Sequence, residues 1–284
     1  MLTLGLNSKP KLSHDTFCLL RDVIYARSGI AFADTKKYLL ETRLIRRLEE
    51  RNLKTFEDYY YFLTYDCNKE AEFRHLLNSV VTNETSFFRD PVQLDVFKKG
   101  VIPRLLDEKY RTGSKVIRIW SAACSTGEEP YTLAMMLMEE GLLQKGFSIE
   151  IIGSDISDVV LKAAQAARYD KYSLRNTPEA FLRKYFVPNG DGFVVTNKVM
   201  ELVAYKNINL FDNGETRAVR GMDVVFCRNV LIYFDEASKK KVSNHIYDSI
   251  VKGGYLLVGF SESLHNITRL FKPISIERSV VYQK

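Results

Sequence analysis

Between residues 12 and 80 apolar positions recur at helical spacing, and no alternating strand pattern interrupts them. Phe17, Leu19, Leu20, Val23 and Ile24 mark a first helix, with Ser13 and Asp15 as candidate caps and Gly29 just past its end. A second helix covers about Lys37 to Arg51 and a third Phe56 to Tyr65. A fourth starts near Lys69 and carries Phe73, Leu76, Leu77 and Val80. Short connections between such helices predict a small bundle over 12–80.

After about Phe97 the periodicity changes. Short apolar runs at Val116–Trp120, Ile149–Gly153, Asp223–Cys227 and Tyr255–Gly259 read as strands, with a further one at Ser279–Tyr282. Helical patterns separate them at Pro130–Leu142, Val159–Ala167 and Glu236–Val251. Strands alternating with helices predict a doubly wound α/β domain with a mostly parallel sheet over 98–284, and 81–97 then serves as a linker. Within that domain Phe193–Thr196 and Glu201–Tyr205 read as short strands after the turn-forming run Pro188–Gly192, so a small β insertion is expected at about 174–205.

Composition narrows the function classes. The 284 residues are 46% apolar and 27% charged, a globular balance. No stretch approaches the roughly 18 consecutive apolar residues of a membrane span, and residues 1–11 lack the pattern of a signal peptide. Cys18, Cys67, Cys124 and Cys227 lie far apart without a CxxC, which predicts neither a disulfide framework nor a zinc site and makes a reducing cytoplasm the expected compartment. The net charge of +6 hints only weakly at an acidic partner.

Open parallel sheets bind ligands at the carboxyl ends of their strands, so chemistry is sought there. The first strand ends in Ser121-Ala122-Ala123-Cys124-Ser125-Thr126-Gly127-Glu128-Glu129-Pro130. Its small side chains allow close approach of a ligand to the backbone before a helix N-terminus. It is not a phosphate-binding loop of the GxxxxGK[ST] kind, and its two carboxylates would repel phosphate. Glu128 and Glu129 suit a ligand with a cationic amino group, or simply complement the helix dipole. Asp155 closes the second strand, where an acidic side chain binds ribose hydroxyls or starts the following helix. Arg228 and Asn229 follow the third strand and either line the cleft or fasten a loop. Cys227, flanked by apolar residues and far from any histidine, reads as a small buried residue rather than a nucleophile. A further polar cluster, Thr82 to Asp90, precedes the sheet.

Taken together, Asn83-Glu84-Thr85 with Phe87-Phe88-Arg89, Ser121 to Tyr131, Ser154-Asp155-Ile156, Phe226-Cys227-Arg228-Asn229 with Ile232-Tyr233-Phe234, and Gly259 to Leu264 resemble the bacterial chemotaxis receptor methyltransferases of the CheR type. The resemblance runs from about Ser13 to Tyr282. It implies an all-helical N-terminal domain followed by a class I methyltransferase domain with a small β subdomain. It also implies a protein-glutamate O-methyltransferase that uses S-adenosylmethionine, yields S-adenosylhomocysteine and needs no metal. Carried over motif by motif, Asn83, Thr85, Arg89, Glu129, Asp155, Asn209, Leu210, Arg228 and Asn229 would bind the cofactor, and Arg89 and Tyr233 would lie near the transferred methyl. Arg89 would orient either the acceptor carboxylate or the donor's own carboxylate.

The implied partners are the methylation helices of chemoreceptor cytoplasmic domains, with no nucleic acid, no membrane insertion and a monomeric enzyme. Arg43, Arg46, Arg47 and Arg51 on the second helix form a basic stripe for those acidic helices, or a solvated face neutralised by nearby glutamates. Some members of the family hold a receptor C-terminal pentapeptide on a longer loop of the β subdomain. Here Val187–Phe193 is compact, which predicts independence from that tether. Two other readings stay open at this level: a methyltransferase with another acceptor, and a non-catalytic cofactor-sensing adaptor.

Overall fold

The computed structural model describes residues 10–276 and 279–284, and the chain divides after Thr82 into two compact units. The first contains four α-helices: α1 (His14–Ser28), α2 (Lys37–Arg51), α3 (Phe56–Tyr65) and α4 (Lys69–Val80). Local chemistry sets their ends. Ser13 Oγ accepts the Thr16 amide at 3.1 Å to start α1, and Gly29 closes it in the left-handed conformation. Thr55 does the same for α3 through the Asp58 amide. The inward faces, Phe17, Leu20, Ile24, Leu40, Leu44, Leu48, Phe56, Leu63 and Leu76, are almost wholly buried.

One polar cluster is buried with them. Glu72, 0% exposed, accepts Arg47 Nε at 2.9 Å and Nη2 at 2.8 Å, the Tyr59 hydroxyl at 2.8 Å, and Arg51 Nε. Burial alone would raise the Glu72 pKa, but the hydrogen bonds from Arg47, Tyr59 and Arg51 bring it below the usual carboxylate value. This corrects the basic stripe. Arg47 is 6% exposed and turned into the bundle, because its guanidinium is the principal partner of Glu72. Arg51 shares that carboxylate, while Arg43 is tied to the Val80 carbonyl at the end of α4 and to Thr82 Oγ1. Arg46 alone of the four is held only at the surface, by Glu50 one turn on.

The second unit opens on a helix, α5 (Pro91–Val96), which continues through a π-helical turn (Phe97–Val101) into α6 (Ile102–Thr112). There follow β1 (Val116–Ala122), α7 (Glu128–Glu139), β2 (Ser148–Asp155), α8 (Asp158–Ala166), β3 (Arg168–Tyr169), α9 (Glu179–Tyr185), β4 (Phe186–Asn189), β5 (Gly192–Val195), α10 (Asn197–Met200), β6 (Val203–Asn207), α11 (Asn213–Thr216), β7 (Met222–Cys227), α12 (Glu236–Ser249), β8 (Ile250–Val258), β9 (Lys272–Ile276) and β10 (Ser279–Gln283). The main sheet has the order β6-β2-β1-β7-β8-β10-β9. Its first five strands are parallel; β10 and β9 close one side antiparallel. The chain order reverses between β1 and β7, which is where such sheets open a ligand crevice. α7 is apolar nearly all round and buried against the sheet, as its Leu133, Ala134, Met135 and Leu137 require.

A separate three-stranded sheet has the order β3-β5-β4. The segment Glu201–Tyr205, read from sequence as part of the insertion, instead supplies β6, which pairs parallel with β2 at the edge of the main sheet. A short, largely apolar run fits either sheet, and the parallel pairing with β2 decides the matter. The third strand of the small sheet comes from Arg168–Tyr169, too short to leave a sequence pattern.

Candidate cofactor site

The loop from β1 to α7 is bent by three alternate residues in the left-handed region: Ala123 (φ 63), Ser125 (φ 50) and Gly127 (φ 92). A Cβ on Gly127 would lie 2.6 Å from the Tyr205 hydroxyl and 2.8 Å from the Ala164 Cβ, so glycine is required there. The other two bends cost conformational energy, and fixed partners hold them. The Cys124 amide donates to the Ser154 carbonyl at 2.8 Å, the Ser125 amide to Asp155 Oδ2 at 2.9 Å, and the Tyr169 hydroxyl to the Thr126 carbonyl at 2.7 Å.

Asp155 is 7% exposed at the end of β2. Its Oδ1 accepts the Ser157 amide at 3.0 Å, while Ser157, not Asp155, caps α8. Burial raises its pKa, and the Ser157 and Ser125 amides oppose the rise. Each carboxylate oxygen offers two lone pairs, so lone pairs remain after the two amides, which is what a vicinal diol needs. The paired strand places Asn207 opposite Asp155; the Asn207 side chain donates to the carbonyls of Asp155 and Ile156. Asn209 and Leu210 follow beside them. Asn209 Oδ1 accepts the Phe211 amide at 3.0 Å, and the Leu210 carbonyl meets His245 Nδ1 at 3.0 Å.

The two glutamates at the start of α7 face different ways. Glu128 is 2% exposed and accepts the Thr126 hydroxyl at 2.7 Å; burial raises its pKa. It points into the protein, so it does not serve a ligand as the sequence suggested. Glu129 accepts the Ser121 hydroxyl at 2.6 Å and Arg228 Nη1 at 3.0 Å. Arg228, 7% exposed at the end of β7, also reaches the Arg89 carbonyl at 3.0 Å and Asp90 at 3.4 Å. Its Nε is buried without a protein partner. Asn229 follows in the left-handed conformation (φ 59), and Tyr233 ends a short 3-10 turn, Leu231–Tyr233, half-buried.

Residues 83–90 belong to the same unit as the sheet. The Asn83 carbonyl accepts the Ser125 hydroxyl at 3.4 Å, and the Thr85 carbonyl accepts Arg175 Nη1 at 3.5 Å. Arg89 Nη1 donates to the Glu84 carbonyl at 2.7 Å, closing the segment on itself. Phe87 anchors it: its ring meets Tyr169 and Phe186 edge-on at 4.7 and 4.9 Å, and its amide donates to the Ser173 carbonyl at 2.9 Å. Hydrogen bonds thus join the 83–90 segment, the β1–α7 loop, Asp155 and Arg228 around the carboxyl ends of β1, β2 and β7. Burial pushes the thiols of Cys124 and Cys227 up, so both stay protonated and neither is a nucleophile. Sequence reading missed Tyr169, which no motif marks, and Thr132, whose hydroxyl accepts the Phe88 amide at 3.2 Å.

Two family models divide the chain at the same place as its structure. "CheR methyltransferase, all-alpha domain" matches residues 15–81, and "CheR methyltransferase, SAM binding domain" matches 83–280. The chain belongs to the CheR methyltransferase family. Among similar proteins, "Chemotaxis protein methyltransferase 2" of Vibrio cholerae is 35% identical over 94% of this chain and 92% of its own length. "Chemotaxis protein methyltransferase" of Borreliella burgdorferi is 34% identical over 91% of each. "Chemotaxis protein methyltransferase 1" of Pseudomonas aeruginosa is 32% identical over 94% and 97%. As a CheR family member the protein is an S-adenosylmethionine-dependent methyltransferase of class I fold with a helical N-terminal domain. The diol-ready carboxylate of Asp155 and the small-residue loop beside it fit that cofactor. Among the described residues, no group of three or more His, Cys, Asp or Glu is placed to hold a metal ion, and no helix is long and apolar enough to cross a membrane.

Proposed function

We propose that this CheR family protein methylates glutamate side chains of chemoreceptor cytoplasmic domains, giving glutamate methyl esters for chemotactic adaptation. The names of the relatives, all chemotaxis protein methyltransferases, point to the pathway. The observation that carries the reading is the Arg228 guanidinium, which meets Glu129, the Arg89 carbonyl and Asp90 at the switch point of the sheet. Three of the residues that the family resemblance assigns to the cofactor, Arg89, Glu129 and Arg228, meet there.

Bound S-adenosylmethionine would supply an electrophilic methyl group on a sulfonium, whose transfer to a carboxylate oxygen would release S-adenosylhomocysteine. A glutamate acceptor is already ionised near neutral pH, so the protein need not remove a proton. Its task is alignment and exclusion of water. Asp155 holds the ribose hydroxyls; Asn83, Thr85, Asn209, Leu210 and Asn229 line the remaining contacts. Arg89 and Tyr233 orient the reacting carboxylate. Of the basic residues on α2, Arg46 is the one whose exposed charge suits an acidic receptor helix. The β4–β5 hairpin closes in a two-residue turn between Asn189 and Gly192, too tight for an extended tether-binding loop, which supports action without a receptor pentapeptide.

Transfer of labelled methyl from S-adenosylmethionine to a receptor cytoplasmic fragment tests this. Base-labile label on receptor glutamates is expected, at equal rates with and without a tail pentapeptide. Cofactor binding without transfer would instead leave an adaptor. Micromolar affinity for the free pentapeptide would overturn tether independence.

A further inference from the structure

Glu262 stands outside every role assigned above, yet its carboxylate accepts three backbone amides beside the site. After β8 the chain turns at Gly259, with the Glu262 amide donating to the Gly259 carbonyl at 2.9 Å. The side chain folds back beneath this turn. Oε2 accepts the amides of Gly259 and Asn229, both at 2.7 Å, and Oε1 accepts the amide of Ile232 at 3.3 Å. A carboxylate is acceptor-only and offers about four lone-pair sites, so it alone among side chains of this length can take three N–H groups from both oxygens. The fit leaves no spare room. A Cβ on Gly259 would lie 2.6 Å from Oε2 and 3.0 Å from the Asn229 amide.

The three amides are not equivalent in what they support. Asn229 sits in the left-handed region at the end of β7, a conformation that needs fixed partners. Ile232 lies in the 3-10 turn that carries Tyr233. One carboxylate therefore joins the β8 end to both residues that follow Arg228 in the site.

The geometry points to Glu262 as a positioning residue for methyl transfer, acting through the backbone of Asn229 and through the Leu231–Tyr233 turn. It touches neither reactant. The inference rests on the proposed placement of Asn229 against the cofactor and of Tyr233 near the transferred methyl.

Glu262→Gln tests it, because the amide keeps the size and loses one acceptor. Its single oxygen stays with the two short contacts from Gly259 and Asn229. Its NH2 then faces the Ile232 N–H, donor against donor. Expected results are a fall of about tenfold in kcat, roughly one lost charge-assisted hydrogen bond, with S-adenosylhomocysteine affinity within about threefold of wild type. Glu262→Ala, which frees all three amides, should weaken both. In a Tyr233→Phe background the Gln substitution should cost little more, since both act on one element. Full additivity, or unchanged kcat in the folded variant, overturns the role.

Amide hydrogen exchange provides a readout free of any acceptor. The Ile232 amide should lose protection about tenfold in Glu262→Gln, while β1 and β2 keep theirs. Unchanged protection would overturn the clamp itself. Failure of the wild-type protein to methylate receptor would sink the receptor reading and leave the exchange result standing.

Discussion

Arg228 and Glu129, 99 positions apart, meet at 3.0 Å between the end of β7 and the first turn of α7. The pair is nearly out of solvent, with side chains 4% and 15% exposed. Removing Arg228 leaves Glu129 with the Ser121 hydroxyl and no cationic partner among the described residues. Arg228→Met should therefore cost about 3 kcal/mol of stability, and Glu129→Gln added to it should cost far less than the sum of the two alone. Thermal or denaturant unfolding of the four proteins reads this directly, and strict additivity would contradict the pairing.

Tyr233→Phe removes a hydroxyl beside the proposed transfer site and keeps the ring. Receptor methylation should slow about tenfold, the worth of one aligned hydrogen bond, while the cofactor Kd stays within about twofold. Single-turnover methylation and calorimetric titration with S-adenosylhomocysteine separate the two. Unchanged turnover would remove Tyr233 from the reaction.

Arg46 and Arg47 are neighbours in sequence with opposite fates. Arg46→Glu should raise the KM for receptor several-fold without changing cofactor affinity, because a rim charge acts on encounter with a charged partner. Arg47→Glu should instead unfold the helical unit, since it places a second carboxylate against buried Glu72. Circular dichroism and receptor titration on both variants distinguish surface charge from core.

Two buried glutamates give stability opposite dependences on pH. Glu72 is held below its ordinary value, so its contribution is present above the ordinary glutamate range and is lost as pH falls through its folded value. Glu128 is held above its ordinary value, so its contribution is present in acid and is lost as pH rises through its folded value. Glu128→Gln should raise Tm at neutral pH and remove that loss, whereas Glu72→Gln should lower Tm at neutral pH and flatten the acid limb. Melting curves from pH 3 to 8 test both signs.

The limits of α2 and α3 lie where helical spacing put them, because each apolar face is regular and ends in a clear stop such as Asn52 or Asp66. Four of the parallel strands were equally legible from short, mostly apolar runs, two of them interrupted by Arg118 and Glu150. Pairing was not. Glu201–Tyr205 is a short, largely apolar run that fits either sheet, and only the register with β2 settles its place. At the site, motifs located Asp155, Arg228 and Asn229 at strand ends and Glu129 in the first turn of α7, but helical spacing could not say that Arg47 turns inward, since its partner lies 25 residues on. Nor could it separate Glu128 from Glu129, adjacent residues facing opposite ways.

Tyr169 belongs to the small sheet, yet its hydroxyl ends on the Thr126 carbonyl and its ring on Phe87. The insertion thus braces the β1–α7 loop and the 83–90 segment and cannot be traded as a cassette. A chimera that takes residues 168–195 from a relative must take residues 83–90 with them, or the graft will arrive without the ring it was shaped to hold.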